Sequence, residues 1–317
     1  MTVHVFNPEH DLALAEGTAN YTPPKVVRQL RKDLGWISSL WKAEGEVTVW
    51  GWDKAITKEL KQQGVPAEML PTAERLDAIR ELSNRSLAVE MLASLNDMEG
   101  TTGHSEVCHT YEEVLDFAEP NGDTVVKAPW SSSGRGVKRL TETSKSFIVN
   151  TIARQGSVIT ETWCDKVIDF ALEYTADKQG MVHYEGLSLF HTAGGAYKGN
   201  LLLPEREKRQ MLSEYVDEGL VATVSERIRQ YLSLRLEGIY SGPLGVDMMV
   251  CKLVCASERQ NQRGDLNLLN PCIEINLRRT MGHVALALTR QGHRGTMTVL
   301  YNKERNKYEL NIKKTVL

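Results

Sequence analysis

The chain has 317 residues, more than one average domain, and this length predicts two or three lobes that share a cleft. Hydrophobic residues make up 41% of the sequence and charged residues 25%, the proportions of a folded soluble protein and not of a disordered chain. A formal net charge of −3 gives no electrostatic case for nucleic acid as a partner, and no apolar run approaches the roughly 20 residues that span a membrane.

The first third of the sequence alternates strand and helix signals. Val3–Phe6 contains good strand formers and is followed by a polar loop, Asn7–Asp11. A helix is predicted to begin near Pro24, Val47–Trp52 is predicted as a second strand, and another helical face follows at Ala55, Ile56 and Leu60. This order predicts a small parallel sheet with covering helices. Ligands bind beyond the carboxyl ends of such strands, so we expect the Asn7–Asp11 loop at a cleft.

The remaining two thirds begin with a helical run and continue mainly as strands. The helical run is predicted over Ala73–Leu95, and a long helix, charged on one side, over Pro204–Leu234. A polar excursion that contains Gly264 lies between the last two predicted strands. The strand predictions are Thr124–Lys127, Ser157–Thr162, Asp169–Thr175, Met181–Phe190, Gly245–Val254 and Leu268–Asn276.

The five cysteines do not form a metal-binding pattern. Cys251 and Cys255 are four residues apart, with no second pair to complete a zinc site. Free, mostly buried thiols fit a reducing compartment. The amino terminus starts as a strand and not as a cationic segment before an apolar signal core. We therefore expect a cytoplasmic protein.

The sharpest local feature is a lysine at the end of an apolar strand, followed by a loop of small residues. The run is VVKAPWSSSGRGV, in which Lys127 precedes the loop Ser131–Gly136. Small residues let backbone N–H groups approach phosphate oxygens closely, and the lysine adds a positive charge. The run is not a Walker loop, because the Gly-Lys-Ser/Thr ending is missing. The alternative is a serine-rich hairpin loop beside an edge-strand lysine.

A second group of polar residues lies on two predicted strands near the carboxyl end. Asp247 falls in the apolar strand after GPLGV, and Glu274 and Asn276 alternate with Ile273 and Ile275 in CIEIN. Alternation puts Glu274 and Asn276 on one face of their strand. Oxygen ligands at this spacing suit magnesium, which takes a carboxylate or two from protein and the rest from phosphates and water. The alternative is a solvated strand face.

A third feature is the connection between two strands. Glu161, Trp163 and Cys164 end one predicted strand, and Asp169 begins the next. Such a crossover can present backbone N–H and C=O groups to an adenine edge, with the acidic side chain on the ribose. The alternative is a plain connection without a ligand.

In order along the chain, these pieces resemble the ATP-grasp superfamily, whose members include D-alanine–D-alanine ligase, biotin carboxylase and the formate-using purine enzymes. The shared order is a lysine strand, a Gly-rich lid loop, an adenine hinge, and an Asp followed by Glu-x-Asn, over roughly residues 85–290. The resemblance implies an α/β (α+β) fold in three parts. These are an N-terminal parallel-sheet pre-ATP-grasp domain (1–84), linker helices with a lid subdomain (85–162), and a C-terminal catalytic domain with a mixed sheet (163–317).

The resemblance also implies ATP and Mg²⁺ as cofactors. Lys127 is similar to the lid-strand lysine that contacts the phosphates, and Arg85 stands where the family often has a second cation. An exposed helix arginine is the alternative for Arg85. The implied flap over the phosphates is formed by Ser131, Ser132, Ser133, Gly134 and Gly136. The implied nucleotide contacts are Glu161, Trp163, Cys164 and Asp169. The implied metal ligands are Asp247, Glu274 and Asn276.

An arginine follows the metal-ligand motif. Glu274-Ile-Asn276-Leu-Arg278 resembles the carboxylase branch, in which the arginine faces the reacting centre. A guanidinium there can stabilise charge on an acyl phosphate or a tetrahedral intermediate, so Arg278 joins Lys127 as a catalytic candidate. Arg279 takes this role if the strand ends early. D-alanine ligases carry an arginine two residues before the metal-binding Asp, where this chain has Gly245.

The sequence determines the substrate contacts less well than the nucleotide and metal contacts. His10 and Asp11 are candidates because their predicted loop leaves the first strand at the cleft; the alternative is a loop-capping Asp beside a surface His. The glycine-rich run 191–200 supplies two further candidates, Lys198 and Asn200. His283 is interpreted as a residue of a helix cap.

The resemblance implies an ADP-forming ligase that activates a carboxylate as an acyl phosphate for attack by an amine or a similar nucleophile. Both substrates would be small molecules, with neither nucleic acid nor membrane as a partner and a homodimer as one state of assembly. A small-molecule kinase of the same superfamily is the first alternative, and a non-catalytic ATP-binding regulatory module is the second.

Overall fold

The structure is a computed structural model that describes residues 2–41, 46–131, 136–193, 196–252 and 267–314. The helices in these ranges are all too short or too polar to cross a membrane. Strands and helices are numbered below in chain order. Three short 3-10 segments accompany them, at Gly35–Leu40, Ala67–Met69 and Glu142–Ser144.

The N-terminal part is a two-stranded parallel sheet with three helices. The strands are β1 (Val3–Val5) and β2 (Val47–Val49), and the helices are α1 (His10–Glu16), α2 (Lys25–Leu34) and α3 (Lys54–Gln62). The parallel pairing confirms the predicted sheet.

Two details of this region differ from the sequence prediction. The Asn7–Asp11 segment is not a loop throughout, because α1 begins at His10 and holds Asp11 in its first turn, where the helix dipole favours a carboxylate. Strand β2 ends at Val49 and not at Trp52. The next backbone N–H groups, those of Trp50 and Gly51, turn towards the side-chain oxygen of Asn7 at 3.0 and 3.3 Å.

The helical run predicted over Ala73–Leu95 is two helices, α4 (Ala73–Leu82) and α5 (Ser86–Leu95). The break lies at Ser83–Arg85, where the Arg85 N–H donates to the carbonyl of Pro129 at 3.1 Å. Helix α5 is apolar and packs against the main core. The break therefore positions the Arg85 side chain beside the loop that follows the predicted lysine strand.

A four-stranded antiparallel sheet carries that lysine strand. Its order is β3-β6-β4-β5, with β3 (Ser105–Cys108), β4 (Thr124–Lys127), β5 (Val137–Arg139) and β6 (Val158–Thr162). Helices α6 (Tyr111–Asn121) and α7 (Lys145–Gln155) cover it. Strand β4 is buried along its whole length and ends at Lys127, as the sequence predicts.

The largest sheet has seven strands in the order β11-β10-β7-β8-β9-β12-β13, and every neighbouring pair in the described residues is antiparallel. These strands are β7 (Asp165–Ala176), β8 (Val182–Ala193), β9 (Ala196–Leu202), β10 (Gly242–Lys252), β11 (Asn267–Asn276), β12 (Gly295–Asn302) and β13 (Lys307–Lys313). Helices α8 (Glu205–Ser213) and α9 (Glu218–Leu236) lie between β9 and β10 in the chain, and α10 (Met281–Arg290) lies between β11 and β12.

The long helix predicted over Pro204–Leu234 is wrong, because α8 and α9 are separate helices. The Asp217 side chain accepts a hydrogen bond from the Leu220 N–H at 2.8 Å and starts α9. Val216, in the break between the two helices, is buried in the main core. The periodicity of the sequence hides this break, since both helices place apolar residues at helical spacing.

The register of the three neighbouring strands β11, β10 and β7 positions the polar residues. Asp247 on β10 pairs with Glu274 on β11, and Gly245 pairs with Asn276 on one side and with Glu173 on the other. Residues that face each other across strands, or that are two apart along one strand, share a face. All four polar side chains therefore lie on one face of the sheet, and the opposite face packs against α5 and α9.

Candidate active site

The polar face of the large sheet borders a cavity of about 360 Å³, called here the acidic cavity. Its walls come from the sheet, from the N-terminal part and from the first turn of α10. The lining includes Asp11, Glu173, Ser188, Asn200, Asp247, Glu274, Asn276 and Arg278. Residues from both ends of the chain therefore meet at one site.

Three carboxylates crowd the floor of the acidic cavity. Burial, together with the neighbouring Glu274 and Glu173, raises the pKa of Asp247 to about 8. The Asn276 side-chain amide donates to Asp247 at 3.2 Å. Grouped carboxylates with so few donors are costly unless a cation or a proton neutralises them. A cation bound at Asp247, or a proton on it, would relieve this repulsion.

The number and type of oxygen ligands in the acidic cavity decide whether magnesium fits there. In the described ranges, no group of three or more His, Cys, Asp and Glu side chains is arranged to hold a metal ion by itself. The set at hand is two facing carboxylates, Asp247 and Glu274, and one amide, Asn276. Because magnesium keeps several ligand positions for phosphates and water, such an incomplete oxygen set fits this ion.

Arg85 joins the lysine strand to the acidic strand β11. Its guanidinium donates to the Ala128 carbonyl at 2.6 Å, to the Ser131 hydroxyl at 2.7 Å and to Glu274 Oε1 at 2.6 Å. The side chain is 5% exposed. The alternative of an exposed helix arginine is therefore wrong. Residues 189 positions apart in the sequence are held in direct contact.

Lys127 lies at the same junction. Its ammonium forms a buried ion pair with Glu161, and its Nζ is 3.5 Å from the carbonyl oxygen of Ile273, the residue before Glu274. Both partners of the pair are 7% exposed. An edge-strand lysine in solvent, the alternative interpretation, does not fit this burial. Two cations and the acidic strand thus face one junction.

The predicted flap is described in part. Ser132, Ser133 and Gly134 lie outside the described residues. Ser131 contacts Arg85, and the carbonyl of Gly136 accepts a hydrogen bond from the Ala128 N–H at 2.7 Å. A Cβ added at Gly136 would lie 2.3 Å from the Ser131 side chain, so the two ends of the loop approach closely. This close approach explains why a glycine stands at its far end.

The predicted adenine hinge has some of its polar groups already engaged. The Trp163 N–H donates to the Asp123 carbonyl at 2.7 Å, so this donor is already used, and the adenine role of Trp163 and Cys164 stays a prediction. A hydrogen bond from the Cys251 thiol lowers the pKa of Cys164. The Asp169 carboxylate accepts hydrogen bonds at 2.6 Å from both Lys166 and Thr192. Its role towards a ribose stays a prediction.

The adjacent arginines Arg278 and Arg279 diverge. Arg278 lines the acidic cavity and forms a two-pronged ion pair with Asp11 at 2.7 and 2.8 Å. Burial by itself lowers the pKa of Arg278, but the carboxylates of Asp11, Glu274 and Asp247 together outweigh burial and raise the pKa above its ordinary value. The Arg279 guanidinium instead stacks on Trp41, 4.3 Å from the ring centroid, and does not line the acidic cavity.

Of the other four substrate candidates, two line the acidic cavity and two do not. Asn200 lines the acidic cavity and donates to the Ser188 hydroxyl at 2.7 Å, whereas Lys198 is exposed and is not part of the lining. Asp11 lines the cavity through its pair with Arg278. His10 is 1% exposed, which contradicts the surface-His alternative. It borders a narrow gap that also touches Arg85 and Glu274.

Glu173 is a cavity residue that the sequence prediction missed. It is 1% exposed, and its Oε2 lies 3.0 Å from Nδ1 of His283. That nitrogen also belongs to the cap of α10, within hydrogen-bond distance of Thr280, which confirms the interpretation of His283 as a cap residue. Alternation within the predicted strand Asp169–Thr175 puts Glu173 on the face opposite the core residues. An acidic residue there was the available signal.

Gly245 and Gly282 leave the space that the Glu173 side chain occupies. A Cβ added at Gly282 would lie 1.8 Å from Glu173 Oε1 and 2.6 Å from the Ser188 hydroxyl. We expect Gly282→Ala to lower the free energy of unfolding by about 1–3 kcal/mol, the usual cost of overpacking a core. Urea denaturation measures this. The control is Gly35→Ala, whose Cβ meets nothing within 4 Å. Equal unfolding midpoints for the two variants would contradict the packing described here.

No protein-family model matches the chain, and no curated protein matches its sequence. Solved structures do match. N5-carboxyaminoimidazole synthetase from Staphylococcus aureus, complexed with ADP, superposes with a TM-score of 0.50 at 12% identity, over 94% of this chain and 82% of that one.

Two further structures are similar to a smaller extent. Biotin carboxylase from Campylobacter jejuni has a TM-score of 0.47 at 14% identity, over 73% of this chain and 48% of that one. An L-amino acid ligase from Bacillus licheniformis has a TM-score of 0.42 at 15% identity, over 76% of this chain and 50% of that one. The fold assignment rests on the synthetase, which is matched over most of both chains. The chain has the ATP-grasp fold, as its motif order predicts.

Proposed function

We propose that the chain is an ATP- and magnesium-dependent, ADP-forming ligase that activates a substrate carboxylate as an acyl phosphate for attack by an amine. The observation that carries the proposal is the Arg85 contact at 2.6 Å to Glu274, which brings the phosphate-type cations and the metal-type carboxylates to one junction. The ADP in the matched synthetase structure supports a nucleotide at a site of this fold.

In the proposed nucleotide site, Lys127 and Arg85 bind the phosphates. Without a nucleotide, each cation is paired with a carboxylate, Lys127 with Glu161 and Arg85 with Glu274. These pairs hold both cations in position inside a mostly buried junction. Phosphate oxygens accept the same charge-assisted hydrogen bonds as the carboxylates do. The nucleotide can therefore share these bonds with Glu161 and Glu274, or replace them, with little movement of the two cations. Ser131 adds a hydroxyl donor.

In the proposed metal site, Asp247, Glu274 and Asn276 would hold Mg²⁺. When bound, the ion neutralises charge on the phosphates and on the two carboxylates. Strand pairing fixes the carboxylates, because Asp247 and Glu274 face each other across β10 and β11. Rigid strands hold such ligands more accurately than loops do.

The proposed reaction has two steps. A carboxylate oxygen of the first substrate bonds to the γ-phosphorus of ATP while the bond to the leaving ADP breaks. The amine nitrogen of the second substrate then bonds to the acyl carbon, phosphate leaves with the bonding pair, and the nitrogen loses a proton. Arg278 is proposed to stabilise negative charge at the acyl centre, and Asp11 orients its guanidinium through two hydrogen bonds.

The experiment for the overall proposal is a screen for ADP release with magnesium-ATP across pooled amino acids, amines and carboxylic acids. A ligase releases ADP and free phosphate only when both substrate classes are present. Release that needs one substrate and leaves a stable phosphorylated product would indicate a kinase. ATP binding without release over the whole panel would indicate a regulatory module.

The metal assignment predicts the behaviour of Glu274→Gln. Loss of this charge removes a proposed metal ligand and the partner of Arg85, so we expect magnesium-dependent ADP release to fall about 10- to 150-fold, equivalent to ~1.5–3 kcal/mol. The matched control is Glu185→Gln, which breaks another Arg–Glu pair, at 3.0 Å with Arg290, away from the acidic cavity. Equal rates for both variants would remove Glu274 from the metal site.

The phosphate role of Lys127 predicts weaker ATP binding in Lys127→Met. The loss is expected at about 1.5–3 kcal/mol, the range for a hydrogen bond to a charged group, and calorimetric titration with ATP measures it. Because Glu161 would be left buried without its partner, the double variant Lys127→Met with Glu161→Leu tests the same loss in a neutral environment. Lys61→Ala, an exposed lysine on α3, is the control. Unchanged affinity in both Lys127 variants would contradict the proposed role.

A further inference from the structure

A second and larger cavity lies on the other side of Trp50 from the acidic cavity. It measures about 710 Å³ and is called here the tryptophan cavity, because Trp41, Trp50 and Trp52 line it. Trp50 belongs to the linings of both cavities and so forms part of the wall between them. The proposed ligase chemistry uses no residue of the tryptophan cavity other than this shared ring.

Arg279 is the unusual residue of the tryptophan cavity. Its Nε is buried without a hydrogen-bond partner, and no carboxylate in the described part of the chain lies within ion-pair distance of its guanidinium. Burial lowers the pKa of Arg279 to about 10. Glu185, the carboxylate that partly offsets this effect, is paired with Arg290. Within the described ranges, this partly buried cation has no carboxylate counter-charge of the kind that buried arginines ordinarily have.

Arg279 lines the tryptophan cavity with its guanidinium stacked on Trp41. The guanidinium lies over the Trp41 ring at 4.3 Å, so the ring covers one face of the planar group. The N–H groups lie in the plane, and a planar fork of this kind matches the two oxygens of a carboxylate. The backbone N–H of Arg279 donates to the Trp50 carbonyl at 2.7 Å and fixes the position of the residue.

The rest of the lining limits the charge of a ligand. Three basic residues, Arg75, Lys178 and Arg279, are balanced by three acidic ones, Glu46, Glu68 and Asp177. Arg75 is already engaged with the Ile239 carbonyl at 2.7 Å and the Ser241 hydroxyl at 3.1 Å. A single guanidinium that has no carboxylate partner in the described part of the chain, set among tryptophans, suits one negative charge on an apolar or aromatic body, and not a polyphosphate.

We propose that the tryptophan cavity is a binding site for an organic monocarboxylate, with the carboxylate on Arg279 and its aromatic or apolar body against the tryptophan rings. The volume lies within the range of small-molecule sites. The unpaired edge of β2 lines the same cavity and offers backbone groups to polar substituents of the ligand. This site is separate from the proposed nucleotide site and does not depend on it.

The test uses 3-phenylpropionate and its uncharged amide, 3-phenylpropanamide, in ligand-observed NMR titrations of the full chain. We expect the carboxylate to bind at least tenfold more tightly than the amide. Arg279→Met should reduce carboxylate binding to the level of the amide and leave the amide unchanged. Arg278→Met, which removes the neighbouring arginine of the acidic cavity, should leave carboxylate binding unchanged. Saturating magnesium-ATP should not displace the carboxylate.

The unfolding temperature of Arg279→Met tests whether Arg279 stabilises the fold. Because a partly buried cation with no carboxylate partner among the described residues adds little to stability, Arg279→Met should unfold at the same or a higher temperature than the unmutated protein. A lower unfolding temperature would show that the cation is structural and would overturn the proposal. Equal affinities for acid and amide, binding unaffected by Arg279→Met, or no binding of 3-phenylpropionate would overturn it as well.

Discussion

The contact between Arg85 and Glu274 is the constraint on which the rest of the site depends. Arg85, the residue just before helix α5, presents the guanidinium. Strand β11 presents the carboxylate, and the 2.6 Å ion pair between them closes the junction. Lys127 and Glu161 form a second pair beside it. Two buried ion pairs contribute little net stability compared with apolar packing, so they define a position more than they stabilise the fold.

The acidic cavity likewise brings charged side chains together. Asp247, Glu173 and Glu274 lie on one sheet face with few donors, and burial raises the pKa of Asp247 to about 8. Cations on one side and carboxylates on the other are what a magnesium–triphosphate requires, since each half neutralises one part of it. The antiparallel sheet holds the carboxylates, and the glycines at 245 and 282 leave the space that Glu173 occupies.

The sequence was informative where a residue type and its place along the chain carry the chemistry. Lys127, Glu274 and Asn276 stand on regular strands, so alternation and motif order predicted their arrangement. Tertiary contacts decided the rest. The burial of Arg85 arises from the break between α4 and α5, and Arg278 and Arg279 diverge where β11 ends. The hydrophobic periodicity of the sequence predicts neither feature. Glu173 lacks a motif, and its role arises only from the strands packed around it.

Binding of ATP to the unmutated chain, with and without magnesium, tests the central claim most directly. Calorimetric titration should give one nucleotide per chain and an affinity that falls when EDTA removes the metal, because the cations and the carboxylates act on the same triphosphate. Binding of equal strength with and without magnesium, or no binding at millimolar ATP, would contradict a shared site at the junction of Arg85 and Glu274.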